Sequence, residues 1–128
     1  MNIQALSEFL SESAQRQFVL GKFDCVSFVF EGVNVGWNRD YLDNLGYSDK
    51  REAVNRLRES DGLYDAVCDG LGQDLPMSEL VPGDIAWLPP ACIGLIMTDY
   101  IAVKTHRTIL RVPLESARSG WKTDGIQN

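Results

Sequence analysis

One histidine, three cysteines and five prolines are all that the 128 residues hold of these types, and the shortages narrow the field. Cys25, Cys68 and Cys92 are odd in number and show no CxxC spacing, which argues against a disulfide scaffold and against a common zinc site. Basic residues are also in deficit: twelve Lys plus Arg face eighteen Asp plus Glu, for a formal charge of −6. Such a surface repels the phosphates of nucleic acids and of anionic membranes. The longest apolar run, Ala91 to Met97, falls far short of the roughly 20 residues of a membrane span. The first residues, Met1 to Ala5, lack the basic stretch and apolar core of a secretory leader. These absences lead us to expect one soluble domain over residues 1–128, folded in cytoplasm, with no membrane insertion and no nucleic-acid partner. What is present fits a globular chain, with 45% hydrophobic and 23% charged residues.

The first half reads as helices. Ile3, Leu6, Leu10 and Ala14 recur at helical spacing, predicting a helix over 3–16. Asp24 is a good N-cap, and Val26, Val29, Phe30 and Val33 give the buried face of a second helix ending near Trp37, with Gly32 and Gly36 weakening it. Residues 38–47 read as a loop. Ser48 caps a third helix carrying Ala53, Val54 and Leu57, and a fourth holds Leu63, Ala66, Val67, Gly70 and Leu71 before Gly72 closes it. After Pro76 the pattern changes. Asp84–Leu88 and Ile93–Met97 read as strands, and Tyr100–Lys104 with Ile109–Leu114 reads as a hairpin around Thr105–Thr108. The expected class is α+β: a helical N-terminal half packed on a small antiparallel sheet from residues 83–114. Residues 123–128 read as a frayed tail.

The junction Gly21-Lys-Phe-Asp-Cys25 carries chemistry. A cysteine in the first turn of a helix meets the positive end of the helix dipole, which favours its thiolate. A papain-type nucleophile is built this way, with a histidine facing it and a polar residue orienting the imidazole. The same position also suits an inert small core residue. The only histidine, His106, lies in Lys104-Thr-His-Arg-Thr108, a hairpin turn; to act as a base it has to fold back over the Cys25 helix end.

Phe23-Asp-Cys25 opening an apolar helix, Val81-Pro-Gly-Asp84 leading into a strand, and Ile93-Gly-Leu-Ile96 occur in that order. With Gly46-Tyr47, a charged helix and a late Trp121, the set resembles the NlpC-type papain-like cysteine peptidases, and most closely a phage-encoded branch found among tail genes. The resemblance covers roughly residues 15–122 and implies a papain-like fold with Cys25 at the nucleophile position. It also places Cys92, in Cys92-Ile-Gly-Leu95, where active members carry the catalytic histidine. A thiol does not replace imidazole as a base near neutral pH. The resemblance thus implies a structural or adaptor component of a bacteriophage or prophage tail tip, with a degenerate catalytic site. Its partners are then other tail or baseplate proteins, and its location the virion after assembly in the host cytoplasm. Two alternatives stay open: an active peptidase or amidase cutting cell-wall peptides, with Cys25 as nucleophile and His106 as base, and a small binding module unrelated to virions.

Remaining cues are weaker. Gly32-Val-Asn-Val-Gly36 is no phosphate loop, and the scattered aspartates lack calcium-loop spacing. No cofactor and no metal are expected. Trp37, Tyr41, Leu42 and Leu45, set among acidic residues, form a candidate partner surface; local packing on their own core is the alternative.

Overall fold

A computed structural model of the chain describes residues 1–19, 23–38, 62–89 and 92–124. Its central element is a helix that starts where Asp24 dictates. The Val26 and Ser27 amides donate to Asp24 Oδ1 at 3.0 and 2.9 Å, and the Asp24 amide donates to Ser27 Oγ at 3.1 Å. This reciprocal box satisfies amides that a helix N-terminus otherwise leaves open. The helix then runs Cys25–Trp37 and ends at Asn38 in a left-handed conformation, φ 52°. Val26, Phe28, Val29, Phe30 and Val33 are all buried, so it is apolar around most of its circumference. Gly32 serves this packing. A side chain there would collide with Leu95, so the glycine admits the sheet and Phe9 to close contact.

Counting in chain order, α1 is Ile3–Ser13, the central helix Cys25–Trp37 is α2, and Leu63–Leu71 is α3. Asn2 caps α1, accepting from the Ala5 amide at 3.0 Å. α1 ends three residues before the expected Arg16. Gln15 and Arg16 make tighter bonds to Glu12 and Ser13, and Lys104 Nζ donates to the Ser13 and Arg16 carbonyls at 3.3 and 2.7 Å. A buried lysine thus takes carbonyls a longer helix would have used internally. α3 buries Leu63, Ala66 and Val67 and stops at Gly72, φ 91°. The predicted third helix, and the loop before it beyond Asn38, lie outside the described residues.

Among the described residues, six antiparallel strands form one sheet: β1 Leu75–Pro76, β2 Ile85–Leu88, β3 Cys92–Ile96, β4 Ile101–Lys104, β5 Ile109–Val112 and β6 Ser119–Trp121, in spatial order β1-β6-β2-β3-β4-β5. The four expected strands are present, and β1 and β6 extend the sheet beyond the 83–114 range. β5 ends before Pro113, which has no amide to donate. β6 fits between its neighbours because Gly120 lies against the Ile85 carbonyl, where a Cβ has no room. Alternation divides the sheet. Ile85, Trp87, Ile93, Leu95 and Ala102 join the helices in the main core, while Ala86, Leu88, Ile96, Ile101 and Val103 form a second cluster under Met77, Leu80 and Leu114. No helix among the described residues is long and apolar enough to cross a membrane.

The expected fraying from residue 123 is corrected at its first position. Thr123 is fully buried; its amide donates to Asp84 Oδ1 at 3.0 Å, its hydroxyl donates to the Gly83 carbonyl at 2.9 Å, and it accepts from Trp37 Nε1 at 3.0 Å. Residues 125–128 lie outside the described set.

Candidate functional site

The α2 cap fixes Cys25 as the first residue of the helix, and β3 begins at Cys92, paired with Leu88 of β2. The packing of α2 on β3 brings these two starting points together. Both cysteines are half-buried and free, and each acts on the ionisation of the other. The Cys92 thiol donates to the Ile93 carbonyl at 3.5 Å.

This geometry reverses the expected acidity of Cys25. The helix dipole was expected to favour its thiolate, yet its pKa is driven far up. The neighbouring Cys92 side chain is the largest cause, followed by burial and by the negative charges of Cys92 and Asp24. The Asp24 carboxylate that caps the helix start adds to this effect and opposes the dipole at the sulfur. Cys92 is the opposite case: the neighbouring Cys25 side chain lowers its pKa, with burial opposing. The two thiols therefore titrate as a coupled pair, Cys25 above the ordinary thiol range and Cys92 below it.

His106 lies elsewhere. It is exposed on the β4–β5 turn, its ring 4.1 Å from that of Phe18, and it is not among the groups acting on Cys25. The stretch from Tyr100 to Thr105, where the resemblance places a third polar residue, has other contacts. Tyr100 lies under the Arg111 guanidinium at 4.7 Å, and Lys104 caps α1. Among the described residues no group of three or more His, Cys, Asp or Glu is placed to hold a metal. Two surface clefts, of about 340 and 400 Å³, are lined by neither Cys25, Cys92 nor His106. Of the candidate partner surface, Trp37 is half-buried, packs on the main core and donates to Thr123; Tyr41, Leu42 and Leu45 lie outside the described residues.

Two polar clusters escaped the sequence reading. Asp84, buried, accepts from the Val81 amide at 2.9 Å and pairs with Lys122 at 3.2 Å, besides binding Thr123. Its signal was the Pro82-Gly83 turn before it; Thr123 gave none. The Tyr64 hydroxyl donates to Asp74 at 2.6 Å, below a cluster of Tyr64, Trp87 and Trp121 rings. Ser119 and Tyr64 hold the Asp74 carboxyl below its ordinary range.

Comparison with known families gives one match. The family described as Domain of unknown function (DUF6950) matches residues 2–123, and the chain belongs to it. No curated protein and no solved structure matches.

Proposed function

We propose that this chain is a catalytically silent NlpC-like module that serves as a structural or adaptor component of a bacteriophage or prophage tail tip. The observation that carries the silent reading is the thiol of Cys92 against that of Cys25. In the register of the resemblance, a helix-borne cysteine meets the start of the strand that supplies the base in active relatives. Here that strand supplies a second thiol. A general base must take the nucleophile's proton at the working pH; this pair keeps the proton on Cys25. The only histidine lies tilted against Phe18 instead.

The fold is then retained for assembly, with other tail or baseplate proteins as partners. The stretch from Trp37 to Leu45, apolar and aromatic among acidic residues, suits a binding edge of the roughly 800 Å² per partner that a stable contact needs. Turnover of peptidoglycan stem peptides by the wild type, Cys25→Ala and His106→Ala tests the catalytic half. No activity in all three is expected; wild-type activity abolished by both substitutions overturns the reading. Detection of the chain in purified tails tests the assembly half, and its absence from them counts against a tail role.

A further inference from the structure

We propose that the cleft between α1 and the β4–β5 edge of the sheet binds a small organic acid, an apolar body carrying one carboxylate. Its volume, about 340 Å³, lies at the lower end of the range for small-ligand sites. Two simple periodicities build its walls. On the α1 side, Ser7 and Ser11 make a polar row, and Leu10 with the C-cap Ala14 makes an apolar one, each pair four residues apart. On β5, Ile109 and Arg111 are two residues apart and so share the face of the sheet that lines the cleft.

Charge selects the ligand. The chain carries −6 overall, yet no acidic side chain lines this cleft, whereas the second cleft has Glu115 on its wall. The Arg111 guanidinium lies over the Tyr100 ring at 4.7 Å, a contact that holds a planar cation without neutralising it. None of the ion pairs among the described residues includes Arg111, and its forked N–H donors match the two oxygens of a carboxylate. Ser11 Oγ donates to the Ser7 carbonyl at 3.3 Å, which leaves the Ser7 hydroxyl as a second donor on the opposite wall. Leu10, Ala14 and Ile109, all half-buried, supply apolar surface for the rest of the molecule. Neither the thiols nor the tail assignment enters this reading, so the two stand or fall separately.

The test is an amide NMR titration of the full chain with 3-phenylpropanoate. Expected are shifts confined to α1 and β5 and a dissociation constant of about 0.1–1 mM for a ligand of this size. The uncharged 3-phenylpropanamide should bind about tenfold more weakly, and so should the acid to Arg111→Gln. Arg107→Gln removes an exposed charge on the adjoining turn and should leave binding unchanged. Ser11→Leu places a larger side chain in the cleft and should abolish it. If a variant does not fold, the comparison of acid with amide on the wild type still decides. Equal binding of acid and amide, equal losses in Arg107→Gln and Arg111→Gln, or shifts centred on the second cleft overturn the proposal. So does far tighter binding of a capped tripeptide ending in a free phenylalanine carboxylate, since the cleft then serves the end of another chain.

Discussion

At its C-terminal end α2 is tied to the sheet by a closed polar network, and at its N-terminal end by two thiols. In the first, Trp37, Thr123, Gly83, Asp84 and Lys122 pair donors with acceptors, and the buried carboxylate meets a cation. In the second, Cys25 and Cys92 are both acids, and the Asp24 carboxylate helps to raise the Cys25 pKa. The same helix thus carries one end whose donors and acceptors are balanced and one end that holds two titratable thiols. Balanced clusters fix structure; a thiol pair is open to chemical change.

The largest expected effect lies at the balanced end. Asp84→Ala leaves the Thr123 and Val81 amides and Lys122 without their acceptor and should lower unfolding free energy by about 3 kcal/mol, read by urea denaturation. A loss no greater than that of Cys25→Ser in reducing buffer would erase the distinction between the ends. Thr123→Val keeps the shape but removes the hydroxyl between Trp37 and Gly83, and about 1–2 kcal/mol should go in the same assay.

A smaller effect reports on the thiols. The folded Cys25 value lies above its ordinary 9.0, so the unfolded chain releases that proton first, and its stabilising share declines as pH rises beyond that point. Cys92 is depressed below 9.0, so its share is present above that pH and fades as pH falls. The melting-temperature difference between wild type and Cys25→Ser should therefore peak near pH 9, under reduction; a flat difference breaks the coupling. Smallest is Asp24→Asn, which keeps the helix cap but removes the charge beside Cys25. Alkylation of Cys25 at alkaline pH should quicken by about two- to threefold.

How far these ends were legible depends on the range of the forces that make them. Asp24 and the apolar run after it announced α2 because capping and periodicity are local. The four middle strands were legible for the same reason. β1 and β6 were not, because two and three residues carry no alternation, and Ser-Gly-Trp becomes a strand only against Ile85 and Trp87. The meeting of Cys25 with Cys92 was readable only through the order of motifs in the resemblance. The directions of their pKa shifts were not readable, since they follow first from each thiol's place beside the other and then from burial. Lys104 and Thr123 look like surface residues until α1 and the Gly83–Asp84 turn close over them.

The placing of β6 also orders events as the chain is made. Ser119–Trp121 inserts between β1 and β2, both synthesised well before it. Until it arrives, β2 has a bare edge on that side and β1 has no neighbour, the condition in which nascent strands invite wrong pairing. Helix packing on β2, β3 and β4 can begin earlier, because those contacts are available once β4 has been made. Burial of Trp121, joining of β1 and capture of Thr123 by Asp84 then follow together as a late and cooperative step, slow in the way that pairings distant in sequence are slow.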